Sequence, residues 1–577
     1  MKENNIEHIR HTLAHLLASA VLELYPGTKN TIGPAIDDGF YYDFEFPADI
    51  KLSDKDLPAL EKKMKGNLKQ WTKFTHKEVT ESEAKEHFKD NPYKLELIEE
   101  IAKKGGKITL YTCGDFTDLC RGGHAENPAK EIPHDSFKLS HLAGAYWRGS
   151  EENTMLTRIY GLAFPTKLEL DDYETMREEA EKRDHKKLGR DLGLYMFHET
   201  SPGMPYWLPK GLILYKELEN YWRKEHTEMG YKEISSPLVN KAELWKKSGH
   251  WDHYKEDMFI ADMGENEVYG IKPMNCPNAM IVFDSMQISY KDLPFRLSDT
   301  DRLHRYERSG TLNGLLRCRS FQQDDSHNFI SEDMIASEYE HIMNVCKNFY
   351  GIFNLEYKFR LGTRPKSFLG EIETWNNAEK ILKEILEKSG KDYFISEGDG
   401  AFYGPKIDII MKDSLGRDWQ MGTMQLDFQL PQRFDLHYTD KDGKRKMPIV
   451  IHRVIYGSLE RFIGILVEHT SGNFPLWLAP TQVKIIPVGE AHHAKAVELY
   501  DALREKTVRV EIDLSDEGFG KKVRQAKVSR APYFIIIGHK DIAAGKVTLE
   551  SRDKGQIGQI DTSEVIMKIL REIKERK

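Results

Sequence analysis

From Thr166 to Asp191 the chain reads TKLELDDYETMREEAEKRDHKKLGRD, dense in charge and free of proline and glycine until Gly189. Nothing here breaks a helix, and nothing offers the broad apolar stripe that a helix needs to bury one face. Residues 166–190 are therefore expected to form a solvated connecting helix. A connector of this kind obliges the segments on either side to build their own cores. The 577 residues exceed what one core sustains in any case, and about three domains are expected.

Residues 1–165 mix two periodicities: IEHIRHTLAHLLASAVLELYP spaces its apolar residues as a helix does, and GFYYDFEF alternates as a strand does. Residues 191–476 read as the largest domain, strand-like segments broken by Gly and Pro with apolar helices such as SEDMIASEYEHIMNVCKNFYGIF between them. In residues 477–577, VKIIPV, VRVEIDL and YFIIIG alternate with helical stretches, the pattern of a small α/β sheet domain. There Lys521, Lys522, Arg524, Lys527 and Arg530 crowd together, which reads either as a solvated helix face or as a nucleic-acid contact.

No run approaches the ~20 apolar residues of a membrane span. The first residues carry charge and histidine without a small-residue cleavage site, so no secretory signal is read. A cytoplasmic protein without membrane association is expected. Five cysteines in so long a chain do not make a disulfide framework. Cys318 and Cys346 read simply as buried thiols. The net charge of -8 argues against indiscriminate nucleic-acid binding while leaving local basic patches open.

Several constellations carry chemistry. Cys276 in KPMNCPN, His327 in QDDSHNF and His452 in PIVIHR supply one thiolate and two imidazoles. That set suits tetrahedral zinc with one position open, better than it suits magnesium or calcium. Taken singly, each reads as a buried thiol or a hydrogen-bonded histidine. RLHRYERSGTLNGLLRCRSFQQDDSH places Arg305, Glu307, Arg317 and Phe321 around a Ser-Gly turn. Two strands joined by that loop would turn arginines toward phosphates and offer Phe321 as a flat apolar surface. VIYGSLERFIGILVEH sets Arg461 at the opening of an apolar helix. On the first helix His11 and His15 are four apart and share a face. FTDLCRGGH adds Asp118, Cys120 and His124, and the His-x-x-x-His and Cys-x-x-x-His spacings suggest zinc as a bare pattern.

In this order the central segments resemble motifs 2 and 3 of the class II aminoacyl-tRNA synthetases, and Pro237 in GYKEISSPLV matches the motif 1 proline at their dimer interface. With GHW at 249–251, QDDSH at 323–327, GAFYGPKID at 400–408 and the Cys/His/His set, the resemblance narrows to the threonyl-tRNA synthetase family, from residue 6 to the C-terminus. The family implies an α+β multidomain fold: an α+β editing domain, a class II antiparallel-sheet catalytic core and a C-terminal α/β anticodon-binding domain. It implies activation of L-threonine with ATP and Mg2+, transfer to tRNA(Thr), and a homodimer through the surface around Pro237. By the same resemblance Arg305 would hold the α-phosphate and the amino acid carboxylate, and Glu307 the adenine amino group. The base would lie between Phe321 and Arg461, with Arg317 and Arg461 neutralising the outer phosphates. Asp325 would accept the threonine hydroxyl, Tyr403 and Gln323 would contact the amino acid, and His250 would assist proton transfer from the tRNA ribose.

Selectivity supplies a further expectation. An apolar pocket rejects an isostere of threonine weakly, whereas a zinc that takes both amine and hydroxyl distinguishes threonine from valine. One zinc per subunit is expected at Cys276, His327 and His452. Serine, lacking one methyl, escapes with a penalty of only about 1–3 kcal/mol, so a second, hydrolytic site is expected. His11, His15, Asp118, Cys120 and His124, with GAYWRG at 144–149, resemble the editing domain shared by threonyl- and alanyl-tRNA synthetases. That family site works without a bound metal: histidines would activate water and Cys120 would help to bind the seryl ester. The chain starts almost at the editing helix, so a form without the ubiquitin-like domain is expected. Asp541 stands where an acidic anticodon contact is expected, and Glu550 where an arginine is usual. Another class II synthetase, seryl or prolyl, is disfavoured by the Cys/His/His set, and a non-acylating RNA-binding relative by the presence of Arg305 and Arg461.

Overall fold

The computed structural model describes residues 3–265 and 267–577. They form two compact units that meet at Glu178 and Glu179, inside the helix Lys167–Arg183. Most of that helix is exposed, with Leu170 and Ala180 buried. The expected solvated helix does not run to 190. Asp184 accepts from the backbone N–H of Lys186 at 2.7 Å and caps a separate helix, His185–Asp191. There His185 and Leu188 are buried, His185 Nδ1 lying 2.7 Å from Glu468. A buried hydrogen bond between His185 and Glu468, which charge density alone cannot reveal, ends the connector early.

In the first unit the helix Glu3–Leu24 packs on the strand Gly39–Glu45 and the helix Leu57–Leu68. Ile9, Leu13, Leu16, Leu17 and Ala20 are buried, as their spacing predicts, while Leu24 is 41% exposed. The opposite stripe, Thr12, His15 and Ser19, is buried too, so the helix is enclosed all round. Gly39–Glu45 pairs antiparallel with Met155–Ala163, which pairs with Phe137–Tyr146. A second, three-stranded sheet runs Thr75–Val79, Ile108–Cys113, Phe116–Leu119.

The second unit is built on an eight-stranded sheet in the order Lys232–Ile234, Phe295–Asp299, Asp325–Ile330, Ile449–Val454, Asp418–Asp427, Lys406–Lys412, Lys358–Gly362, Tyr393–Ser396. It is antiparallel except for one parallel pair at each edge. Its central strands are buried on both faces, which hides period-two alternation in their sequences. The last segment folds as a five-stranded sheet in which Val510–Ile512, Val483–Pro487 and Tyr533–Ile537 run parallel. A hairpin, Lys546–Ser551 with Gly555–Asp561, completes it; its polar residues gave no expectation of strands.

The basic run in this segment is partly engaged within the fold. Lys522 is buried and donates to the Asp513 carbonyl at 3.3 Å. Lys521 pairs with Glu517 at 2.6 Å and Lys527 with Glu550 at 3.3 Å. Asp541 is buried, and its carboxylate accepts from Gly538 N–H, Thr548 Oγ1 and Gln559 Nε2 at 2.7–2.9 Å. It closes a helix start and a strand pair. No helix among the described residues is long and apolar enough to cross a membrane.

Candidate functional site

Sheet register brings the central set together. His327 and His452 are direct partners on adjacent antiparallel strands, so their side chains leave the same face. Cys276 opens the helix Cys276–Asp284. All three residues are buried, and their ligand atoms lie within 4.8 Å of one another. Both ring nitrogens of His327 and Nδ1 of His452 have no hydrogen-bond partner among the described residues. Burying an unsatisfied polar atom costs about 1–3 kcal/mol, and a dication beside the thiol would take one nitrogen from each ring, His452 Nδ1 and one of the two on His327. His452 Nε2 lies 2.8 Å from Asp427 Oδ2, the outer carboxylate that orients a metal-bound imidazole. The donors fit zinc, and three protein ligands leave one position open. Asp325, two residues before His327 on the same strand, accepts from Asn275 Nδ2 at 3.2 Å. Tyr403 donates its hydroxyl to Gln425 Oε1, and Gln425 is the strand partner of His452.

Beside this set lies a cavity of about 380 Å3 whose wall includes Arg305, Glu307, Arg317, Phe321, Gln323 and Arg461. Arg305 follows the first strand of the short hairpin Arg302–His304 with Ser320–Gln322, Phe321 lies within the second, and the guanidinium sits 5.1 Å from the Phe321 ring centre. Arg305 Nε donates to the Pro273 carbonyl at 3.2 Å. Glu307 accepts from Arg317 Nε at 2.9 Å. Arg461 is clamped by Leu316 O at 2.7 Å and Gln420 O at 2.6 Å. Its helix is capped by Ser458, and the preceding Gly457 has φ 72° with a Cβ position only 1.8 Å from Met421 O, so the turn requires glycine. Burial, together with Arg305 and Arg317 nearby, lowers the Arg461 guanidinium to about 10. It stays charged at neutral pH, and three mutually repelling guanidiniums in one cavity mark it as a site for an anion.

His250 is buried beside Phe402, outside that cavity wall. Its Nδ1 meets Ser248 Oγ at 2.8 Å, and Nε2 has no partner among the described residues. Burial, the largest cause, holds it well below the usual imidazole range, hence neutral. Pro237 is exposed with Leu238 and Val239, an apolar loop at the sheet edge.

Sequence reasoning missed the buried Lys272, whose Nζ reaches Ser236 Oγ at 2.8 Å and Asp301 Oδ2 at 2.7 Å. No periodicity singles out one lysine among so many. The same Ser236 hydroxyl donates to Asp299 at 3.0 Å. Burial outweighs Lys272 and pushes the Asp299 carboxyl from 3.8 up to about 7. A raised folded-state value means that this stabilisation is complete below 3.8 and lost as the pH rises through about 7. Denaturant midpoints across that range should fall with pH in the parent and stay nearly level in Asp299→Asn; parallel curves would remove Asp299 as the cause.

In the first unit, Gly122 and Gly123, with φ of 94° and 84°, turn the chain so that Cys120 and His124 both face the first helix. Cys120 Sγ is 3.5 Å from His11 Nε2 and 3.4 Å from His124 Nε2, and His11 Nε2 is 3.2 Å from His15 Nε2. Thr12 Oγ1 accepts from Ala125 N–H at 3.0 Å and fixes the loop to the helix. His15 Nδ1 lies 3.2 Å from Asp118 Oδ2. Burial lowers His15, but hydrogen bonds to Asp118 and Cys120 prevail and raise it to about 9. Burial raises Cys120, yet bonds from His11, His124 and His15 bring it down to about 3. A cavity of about 460 Å3 opens onto this group. Two of its wall residues escaped sequence analysis: Lys94 Nζ pairs with Asp118 Oδ1 at 2.5 Å, and the Tyr42 hydroxyl donates to Asp118 Oδ2 at 2.5 Å.

With this geometry in place, comparison with known families is direct. Residues 258–470 match the tRNA synthetase class II core domain (G, H, P, S and T), residues 482–572 the anticodon binding domain, and residues 108–160 the threonyl and alanyl tRNA synthetase second additional domain. A threonine--tRNA ligase of Clostridium botulinum (strain Okra / Type B1) is 49% identical over 570 residues, 98% of this chain and 89% of that protein. One from Caldanaerobacter subterraneus subsp. tengcongensis is 47% identical over 565 residues, 98% of this chain and 87% of that one. Among solved structures, the RNA binding domain of threonyl-tRNA synthetase from Cryptosporidium parvum Iowa II superimposes with TM-score 0.65 at 41% identity, covering 67% of this chain and 98% of that one. Identity of this extent along nearly the whole length, over a class II core joined to editing and anticodon-binding folds, shows that the chain belongs to the threonyl-tRNA synthetase family.

Proposed function

We propose that this protein is a threonine--tRNA ligase that forms threonyl-adenylate from L-threonine and ATP with Mg2+, transfers threonine to tRNA(Thr), and hydrolyses Ser-tRNA(Thr) at a separate site. The observation that carries the reading is the buried Cys276, His327, His452 set, with its unpartnered nitrogens, beside the arginine-lined cavity. Residues 191–476 act as the catalytic domain, 477–577 bind the anticodon arm and 1–165 edit, with the helix Lys167–Arg183 as the connector. The exposed apolar loop at Pro237, Leu238 and Val239 suits a homodimer interface, and the cytoplasm is the compartment of such a reaction.

In the first step the threonine carboxylate attacks the α-phosphorus, an O–P bond forms and the bond to pyrophosphate breaks. Arg305 faces the negative charge gathering on the α-phosphate, and its fixed guanidinium needs no reorganisation to do so. Glu307 meets the adenine amino group, Phe321 and Arg461 hold the base, and Arg317 and Arg461 neutralise the departing pyrophosphate. Gln323 and Tyr403 orient the amino acid, and Asp325 accepts a hydrogen bond from its hydroxyl. A zinc held by Cys276, His327 and His452 would supply a Lewis-acidic site for the amine and hydroxyl of threonine. When the ribose oxygen attacks the adenylate carbonyl and AMP leaves, the neutral, unpartnered His250 Nε2 is the open acceptor for the ribose hydroxyl's hydrogen bond. In the first unit, His11, His15 and His124 position water against the seryl ester while Cys120 holds the substrate.

Pyrophosphate exchange measured across the twenty amino acids, with metal content on the same sample, tests this reading. Threonine is expected to dominate; activation of serine or proline in its place would overturn it. In Cys276→Ser the zinc of the central site is expected to be lost. The preference for threonine over valine should then fall from about 10⁴, typical of a site built to bind a hydroxyl, toward the ~10² of an apolar pocket. An unchanged preference would refute selection by zinc.

A further inference from the structure

We propose that His185 is a positioning residue for ATP: its imidazole is wedged between the turn 313–317 and the helix Leu459–His469, and it sets where Arg317 and Arg461 stand. The inference rests on the reading of the arginine-lined cavity as the ATP site, and adds the residue that holds two of its arginines in register. His185 itself is 1% exposed and lies outside the cavity wall.

Both ring nitrogens are engaged, and their partners fix the tautomer. Leu315 N–H donates to Nε2 at 3.2 Å, so Nε2 presents its lone pair and Nδ1 carries the hydrogen. That hydrogen goes to Glu468 Oε1 at 2.7 Å. The other oxygen, Oε2, accepts from Ser414 N–H at 3.1 Å and Ser414 Oγ at 2.8 Å, so the carboxylate is held from two sides. Leu315 N–H is thereby tied, through the ring, to the last turn of the helix Leu459–His469. One residue further on, the Leu316 carbonyl accepts from Arg461 Nε at 2.7 Å, and Arg317 follows. The turn is joined to the same helix at both ends, by Arg461 near its start and by Glu468 near its finish. Two glycines show how closely these parts meet. A Cβ on Gly314, whose φ is 53°, would lie 2.4 Å from His185 Nε2; one on Gly464, in the middle of the helix, would lie 2.9 Å from Leu316 Cδ2 and 3.4 Å from Leu315 Cβ. Ring, turn and helix therefore pack without spare room, and the turn has one height above the helix. A displacement of about 1 Å in groups that meet the reacting atoms costs on the order of 10²-fold in rate.

Asparagine and glutamine separate the two bonds. The Asn amide reaches as far as Nδ1 and can still donate to Glu468, whereas Gln Oε1 reaches as far as Nε2 and can still accept from Leu315. In pyrophosphate exchange with the full-length protein, His185→Asn is expected to lower kcat/KM for ATP by about 10²-fold while KM for threonine keeps its parental value. His185→Gln should stay within about 10-fold of the parent, the worth of one hydrogen bond. Gly314→Ala, which crowds Nε2 from the other side and leaves His185 in place, should repeat the ATP-selective loss and serves in case His185→Asn does not fold. Equal losses in the Asn and Gln variants, or a loss shared by threonine, would assign His185 to packing alone and overturn the proposal. Parental ATP constants in His185→Asn and Gly314→Ala would overturn it too. Hydrogen exchange of the amides in 311–319 reads the anchor without catalysis, and should be faster than the parent in His185→Asn and parental in His185→Gln. If the parent shows no threonine-dependent pyrophosphate exchange, the ATP reading falls and this protection alone decides; equal protection in the two variants would then overturn the anchor.

Discussion

Arg305→Ala lowers threonine-dependent pyrophosphate exchange by about 10²–10³-fold, the usual cost of removing one preorganised donor from a charged transition state. Arg305 sits where the short hairpin leaves its last paired residue, and its side chain makes one hydrogen bond, to the Pro273 carbonyl at 3.2 Å. Its guanidinium lies over Phe321 and within 5.7 Å of the Tyr254 ring centre, so a forked donor is held flat at the cavity wall. Truncation removes little packing, and the unfolding midpoint should hardly move. Arg305→Lys keeps the charge but loses the fork and the flat stacking surface, and it should recover only part of the rate. Since Arg317 and Arg461 remain, the loss should fall on turnover more than on ATP affinity. Exchange near the parental rate in Arg305→Ala would place the reacting phosphate elsewhere.

How much of this was legible in the sequence follows from the range of each interaction. Motif residues near one another in the chain, such as Arg305 and Glu307, carried the cavity, because a hairpin fixes them locally. His327 and His452 become strand partners only through sheet register, and a pattern of separate segments located them without giving their distance. Charge density misled twice. It extended the solvated connector past His185, which is buried against Glu468, and it grouped the lysines around Lys522, whose Nζ is spent on a backbone carbonyl. Buried charge has no sequence period, so Lys272 and Lys94 were visible only once their carboxylate partners were in place.

Lys94→Met is expected to destabilise the first unit by about 3–5 kcal/mol, the range for removing one member of a buried ion pair. Lys94 is 2% exposed and Asp118 1%, so water cannot replace the ammonium. The carboxylate keeps His15 Nδ1 at 3.2 Å, the Tyr42 hydroxyl and the Leu119 N–H at 2.8 Å, which together hold it more weakly than they do with the ammonium at 2.5 Å in place. Lys94→Met with Asp118→Asn removes both charges and should regain much of the loss, because an uncompensated charge costs more than a missing pair. Hydrogen exchange of the amides in Glu3–Leu24 reads this unit's stability separately from the rest of the chain. Equal loss of protection in the single and double variants would show that Lys94 acts through packing and not through charge. If charge is the cause, the double variant should fold and yet hydrolyse Ser-tRNA(Thr) poorly, since His15 would have lost the carboxylate that orients it. Stability and hydrolysis at this site would then depend on the same carboxylate for different reasons: the fold needs its charge matched, and the reaction needs its hydrogen bond to His15.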